Sequence, residues 1–297
     1  MRVLLTGVTG FVGSHLARAL AADGDEVHAV VRPGARLDRI PDLLDRVERH
    51  EDDGDGGLAR AVDAAQPEVA FHLATRFVAE HQPADVGPLV ADNVAFPTRL
   101  LEALAGSGAT FVNVGTAWQH VEGAPYRPKN LYAATKQAFE DVLTHYRANE
   151  GLRCATVHLF DSYGPQDHRG KLLAALLGAL RTRTPLEMSS GEQLIDLVHV
   201  DDIVRALRLA VPAAVDGVVP AHFAAGTGQP RSIRDVVAVL EQVAGRPVPV
   251  RWGARPDRAG EMQVPWDAGP PVPGWEPEVP LADGLAGLLA GSAPGLG

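Results

Sequence analysis

Three glycines spaced three apart, Gly7, Gly10 and Gly13, follow an apolar run at residues 3–5 and open an amphipathic stretch at 11–22. A strand that passes this abruptly into a helix needs glycine, because the backbone must turn tightly and leave room above the turn. The first-turn N–H groups of the helix then point at that space, together with the positive end of its dipole. Such a loop is a cradle for a pyrophosphate, formed here by Gly7, Thr9, Gly10, Phe11, Val12 and Gly13. The spacing is G-x-x-G-x-x-G rather than G-x-G-x-x-G; a purely structural strand–helix turn is the alternative reading.

Beyond the loop, β-branched runs at 26–31, 69–73, 110–114 and 154–160 alternate with amphipathic stretches at 58–65, 90–105 and 132–149. This is the pattern of a parallel sheet flanked by helices, an α/β fold. After Gly164 the texture changes, with helices expected at 172–180, 202–210 and 233–243 and a short strand at 197–199. Prolines at 265, 270, 271, 273, 277 and 280 then give a turn-rich end. The expected organisation is a dinucleotide-binding domain at 1–165, to which 195–211 return. A smaller, partly interleaved substrate-binding domain comprises 166–194 and 212–290, and 291–297 form a flexible tail.

Acidic residues number 37 against 27 basic ones, for a net charge of −10. Non-specific binding to nucleic acid or a membrane surface is therefore not expected. The single cysteine, Cys154, lies in an apolar run and reads as a buried thiol of a reducing compartment. The first residues lack a signal-peptide pattern, and 103–121, the longest central stretch without Asp, Glu, Lys or Arg, is too polar and turn-rich to span a bilayer. A soluble, cytoplasmic protein is expected. Eleven histidines occur, but no H-E-x-x-H and no pair four apart on one helix, so no metal is expected. No G-x-S-x-G elbow supports hydrolase chemistry.

The second apolar run ends Val30-Val31-Arg32, with Arg36 close behind. A carboxylate about 20 residues past the glycines would bind the ribose 2′-hydroxyl of NAD, whereas a guanidinium matches a 2′-phosphate. NADPH is favoured over NADH on this ground; an Arg32 that only stacks on adenine would permit either. Asp52 or Asp53 could accept from the adenine amino group, or both belong to an acidic surface loop. Tyr132 and Lys136, four apart near the start of a helix, share one face, and the ammonium is expected to lower the phenol pKa toward neutrality. Upstream, Thr116 at a strand end offers a hydroxyl to orient a carbonyl oxygen.

At these residues the chain resembles the extended short-chain dehydrogenase/reductases that act on nucleotide-linked sugars, the NAD-dependent epimerase/dehydratase group. The resemblance covers the loop Thr6 to Gly13, His72-Leu73-Ala74-Thr75, Asn93, Thr116, Tyr132/Lys136, Tyr163-Gly164-Pro165, His199-Val200-Asp201-Asp202 and Gly274-Trp275. It implies a Rossmann-type doubly wound parallel sheet and a catalytic triad of Thr116, Tyr132 and Lys136. It implies cofactor contacts from Leu73, Ala74, Thr75, Asn93, Tyr132, Lys136 and Phe160. Substrate contacts are implied for Arg76, Thr116, Ala117, Trp118, Asp161, Lys171, Arg255, Arg258 and Glu261. Trp118 could equally fill the core, and His120 is either a substrate contact or an ordinary loop histidine.

Where 4,6-dehydratases follow the catalytic Thr with Asp-Glu, this chain has Ala117-Trp118. The runs at 115–120, 130–132, 159–165 and 191–193 resemble the 4-ketoreductases that finish deoxysugars such as CDP-abequose, and enzymes reducing dTDP-4-keto-6-deoxyhexoses. The expectation is NADPH-dependent reduction of a 4-keto group on a nucleotide-diphosphate sugar. The alternatives are an NAD-dependent epimerase and a non-catalytic dinucleotide-binding protein. Helices 90–105 and 132–149 match those of a dimer interface in relatives, so a homodimer is expected. Two departures stand out: Asp161 where the group commonly has Asn, expected to contact a sugar hydroxyl or a lysine such as Lys171, and Ile195 where it has Arg.

Overall fold

The computed structural model describes residues 1–218, 221–257 and 262–291. The chain begins with β1 (Arg2–Thr6), α1 (Phe11–Ala22), β2 (Glu26–Val31), β3 (Val47–Glu51), α2 (Gly57–Ala65) and β4 (Val69–His72). It continues through α3 (Val86–Val90), α4 (Phe96–Leu104), β5 (Thr110–Thr116), α5 (Leu131–Asn149), β6 (Cys154–Leu159) and β7 (Asp161–Tyr163). Then come α6 (Leu172–Thr182), β8 (Leu186–Glu187), β9 (Leu194–Ile195), β10 (Leu197–His199) and α7 (Val200–Val215). Last are β11 (His222–Ala225), β12 (Arg231–Ser232), α8 (Ile233–Ala244), β13 (Val250–Arg251) and α9 (Leu281–Gly291).

Val3, Leu4, Leu5 and Thr6 are all buried because β1 sits inside a sheet covered on both faces. The seven strands run β3-β2-β1-β4-β5-β6-β11, every pair parallel. Strand alternation sends Val3 and Leu5 to one face, where Leu16 and Leu20 of α1 and Ile203 and Leu207 of α7 cover them. Leu4 and Phe111 face the other way, under Leu58 and Val62 of α2, Leu100 and Leu104 of α4, and Phe139 and Leu143 of α5. Burying each such leucine stabilises by roughly 1.5–3 kcal/mol. The chain winds outward one way through β2 and β3 and the other way through β4, β5 and β6. The crevice where ligands bind such sheets therefore opens at the carboxyl ends of β1 and β4.

The doubly wound α/β architecture is as expected, with differences at its margins. β3, Val-Glu-Arg-His-Glu, gave no strand signal because it is an edge strand with mostly polar side chains. α7 does not stop before Pro212: Ala213 and Ala214 are buried against the sheet, so packing carries the helix to Val215. β11 joins the main sheet beside β6, so the boundary expected at 211 falls inside α7 and residues 222–225 complete the seven-stranded sheet. A second apolar cluster unites Leu173, Leu176 and Leu180 of α6 with Val236 and Leu240 of α8 and Leu285 of α9. Asp202 ties this carboxyl-terminal part to α7. Its carboxylate accepts from the Glu278 and Val279 amides at 3.0 and 3.1 Å, and its carbonyl from Trp275 Nε1 at 2.8 Å. Cys154 is buried, which pushes its thiol pKa up to about 11. Among the described residues no helix is long and apolar enough to cross a membrane.

Candidate functional site

The glycine loop connects β1 to α1 at the crevice. Gly7 has φ +80°, and a Cβ there would lie 2.6 Å from the backbone of Leu73 and Ala74. A Cβ on Gly13 would sit 2.1 Å from the Gly7 carbonyl oxygen. α1 starts after Gly10 without a side-chain cap and has no acidic residue in its first turn, so among the described residues no side chain caps its first amides. This cradle fits a dinucleotide pyrophosphate. Gly7→Ala is expected to cost on the order of 1–3 kcal/mol of stability and to abolish dinucleotide binding, read by urea unfolding and fluorescence titration. Unchanged binding in the variant would remove the loop from the site.

Arg32 follows β2 directly; it is exposed, and its guanidinium has no hydrogen bond or ion pair among the described residues. Arg36 is exposed and paired with Asp38 at 2.8 Å, so it is not the free second cation that its position suggested. Asp52 is nearly buried, accepts from the Gly54 amide at 3.1 Å and faces Arg99 Nη2 at 3.3 Å. Asp53 pairs with Arg60 at 2.7 Å. Sequence reasoning missed Arg39, Gln166, His168 and Arg169, which line a small cleft with Gly10, Phe11 and Ser14. Arg169 lies 4.1 Å over the Phe11 ring and is held by Asp167 and Ser162. No motif marks these residues; only folding of two distant loops over α1 assembles them.

Segment 73–76 leaves β4 beside the loop, with the Ala74 amide bonded to Thr6 Oγ1 at 3.1 Å. Asn93 departs from its expected role. It is buried within a π-turn (Ala91–Ala95) between α3 and α4. Its Oδ1 accepts from Thr75 Oγ1 and the Arg76 amide at 3.0 and 2.8 Å, and its Nδ2 donates to the Arg76 carbonyl and Thr135 Oγ1. With all its polar atoms occupied, Asn93 holds segment 75–76 against α5 rather than reaching a cofactor. π-turns of this kind commonly mark functional positions. Arg76 Nε bonds Asp92 at 2.8 Å.

The Tyr132 and Lys136 side chains lie one turn apart on α5, whose first turn is capped by Asn130 Oδ1 accepting from the Ala133 amide at 2.9 Å. The expected depression of the phenol pKa is corrected: burial pushes Tyr132 up to about 12, with only the Thr75 hydroxyl pulling the other way. At neutral pH the phenol keeps its proton. Burial likewise lowers Lys136 to about 8, against the nearby Glu140 carboxylate, which raises it.

Glu140 was missed by the sequence reading. Burial pushes its carboxyl up, but His158, Gln119 and Lys136 outweigh this and leave it below its usual range. Its Oε1 lies 3.0 Å from His158 Nε2 and accepts from Gln119 Nε2 at 2.9 Å. Gln119 Oε1 in turn accepts from the Thr116 amide at 2.9 Å. One hydrogen-bonded chain thus ties the carboxyl end of β5, which carries Thr116, to the helix that carries Tyr132 and Lys136. Gly115 permits it, since a Cβ there would lie 2.4 Å from His158 and 2.9 Å from Glu140 Oε1. The available signal was a glutamate one turn beyond the lysine.

On the open side, Phe77 is 51% exposed and packs edge-on against Tyr132, with ring centroids 5.1 Å apart, and against Trp118 at 5.5 Å. Lys129 Nζ lies 4.2 Å over the Trp118 ring. Trp118 therefore borders the mouth of the site and does not fill the core. Ala117 does the reverse: it is buried with Ala224 and Trp266, and half-buried Phe160 packs on that cluster, so the Ala117 side chain cannot touch a substrate. His120 Nδ1 faces the Pro125 carbonyl at 2.7 Å, and its ring stacks on Trp266. It is a packed core histidine. Asp161 lies 3.6 Å from Lys171 Nζ, the partner considered for it. Arg255 is exposed, while Arg258 and Glu261 lie outside the described residues.

The sequence model described as "NAD dependent epimerase/dehydratase family" matches residues 3–226. A UDP-glucose 4-epimerase of Mycolicibacterium smegmatis is 32% identical over 96% of this chain and 96% of its own. A CDP-abequose synthase of Yersinia pseudotuberculosis is 26% identical over 71% of this chain and 73% of its own. Among solved structures, a Thermus thermophilus UDP-glucose 4-epimerase in complex with NAD shares the fold at a TM-score of 0.82, with 24% identity and 98% of each chain covered.

Proposed function

Since the chain belongs to the NAD-dependent epimerase/dehydratase family of nucleotide-sugar enzymes, we propose that it reduces the 4-keto group of a nucleotide-linked 4-keto-6-deoxyhexose with NADPH. The observation that carries this reading is the unpaired Arg32 at the end of β2, where no carboxylate stands to bind a ribose 2′-hydroxyl or repel a 2′-phosphate. The aromatic mouth of Phe77 and Trp118 beside Tyr132 offers apolar faces against which the C–H face of a hexose ring can pack. With Ala117-Trp118 after Thr116, the acid and base of a dehydratase are missing from that position.

The glycine loop and α1 amides would hold the pyrophosphate, and Arg32 the 2′-phosphate. When bound, the reduced nicotinamide supplies the hydride. The Thr116 hydroxyl donates to the sugar carbonyl oxygen and orients it. Tyr132, protonated because it is buried, gives its proton to that oxygen as charge develops there. The Lys136 ammonium stabilises the phenolate left behind.

Arg32→Ala is expected to raise the Kd for NADPH about ten- to a hundredfold, because a charge-assisted hydrogen bond is worth roughly 1.5–3 kcal/mol. The Kd for NADH should barely move; equal losses for both would mean that Arg32 only stacks on adenine. An epimerase is the second reading, favoured by the 32% identity to a UDP-glucose 4-epimerase. Purified protein should consume NADPH in proportion to 4-keto sugar nucleotide reduced. Interconversion of two sugar nucleotides without added cofactor would decide for the epimerase. The 41% and 45% exposed Val86 and Val90 on α3 support a homodimer through that face. Sedimentation should give twice the chain mass.

A further inference from the structure

β2 and β3 lie at one edge of the sheet, on strands that end beside the crevice but whose middle residues take no part in the chemistry above. His28 and Glu48 are register partners, and His50 is two residues further along β3, so the three side chains stand on one face. His28 Nδ1 is 2.9 Å from His50 Nε2 and 3.6 Å from Glu48 Oε2. The triangle closes through the other oxygen of the same carboxylate, with His50 Nε2 3.8 Å from Glu48 Oε1. A four-coordinate metal with ligand bonds of about 2.0–2.1 Å needs donors roughly 3.3 Å apart, and these spacings bracket that value.

The surroundings fit the same purpose. His28 is buried, and its other ring nitrogen, Nε2, lies 3.0 Å from Glu26 Oε1. His28 Nε2–H thereby donates to Glu26, which fixes the tautomer with the Nδ1 lone pair aimed into the triangle, the usual arrangement of a carboxylate behind a metal-bound imidazole. Glu48 is 61% exposed, which leaves one side of the triangle open for entry and for a water ligand. Two neutral imidazoles and one carboxylate suit a borderline first-row ion rather than Mg²⁺ or Ca²⁺. Helical spacing of histidines does not reveal such a site, because strand register is what brings these donors together.

We infer that His28, Glu48 and His50 form a binding site for one first-row divalent ion of the Zn²⁺ class, with Glu26 orienting His28, and that the ion fastens edge strand β3 to β2. The site is independent of the catalytic reading, and its test leaves that reading untouched. Tag-free, EDTA-treated protein is titrated with Zn²⁺ against a chromophoric chelator, and its Tm is read with and without the ion. One equivalent should bind and raise Tm, and Co²⁺ in its place should give the strong visible absorption of a four-coordinate site. Glu26→Gln, which removes only the orienting carboxylate, should weaken binding about 10- to 100-fold. His50→Ala and Glu48→Gln, at the partly exposed edge, should weaken it by at least as much while leaving the circular dichroism spectrum unchanged. Failure to bind one equivalent, or equal affinity in wild type and the His50→Ala/Glu48→Gln double variant, would overturn the site.

Discussion

Tyr132→Phe should lower turnover by about 10²–10⁴-fold, the usual contribution of a positioned proton donor, while the Kd for the dinucleotide stays nearly unchanged. Only the hydroxyl is lost. The ring keeps its edge-on contact with Phe77 and its buried position on α5. Because burial holds the phenol pKa near 12, removing the hydroxyl removes a proton that is present across the physiological range. Steady-state rates, fluorescence titration and urea unfolding of the same preparation separate the effects. Turnover near that of the wild type would take Tyr132 out of the reaction.

Glu140→Gln should reach the site without touching substrate. The amide keeps much of the shape but not the charge, and removing one partner from a buried charged cluster typically costs about 3–5 kcal/mol. The sign with pH follows from Lys136, whose folded pKa of about 8 lies below its ordinary 10.5. A buried lysine with a lowered pKa destabilises the fold where it must be charged, and this cost disappears as pH rises through the folded and then the ordinary value. Glu140 partly offsets that cost, so the variant should lose most stability below about pH 8 and less at pH 9. Activity should show a matching shift. The alkaline limb set by loss of the Lys136 proton should move to lower pH, because nothing then holds that proton. Urea unfolding at the two pH values and a pH–rate profile measure both effects. An unmoved limb with unaltered stability would reduce Glu140 to a bystander.

Much of this protein is written locally. The apolar run before Gly7, the glycine spacing and the amphipathic period after it specify β1, the loop and α1, because each depends on neighbours within a few residues. Tyr132 and Lys136 needed only helical spacing to meet on one face. The edge strand β3 was illegible because its polar residues carry no hydrophobic period, and β11 because four residues are too few to show one. α7 overran Pro212 because burial of Ala213 and Ala214 outweighs a local preference to stop.

What tertiary structure alone decided is which side chains share a low-dielectric space. Sequence spacing puts an ammonium near the Tyr132 phenol and predicts a lowered pKa, yet burial raises it to about 12. Desolvation depends on everything packed around a group, not on its place in the chain. The same holds for the bonds from Thr116 through Gln119 to Glu140, for Asn93 turned inward by its π-turn, and for Phe77 and Trp118 at the mouth. Each joins residues from separate elements. The sequence by itself determined the fold class, the strand–glycine loop–helix unit and the spacing that puts Tyr132 and Lys136 on one helix face, because these rest on short-range pattern. Protonation states, the supporting network and the donors at the β2–β3 edge followed only from sheet register and burial, which no single stretch of chain contains.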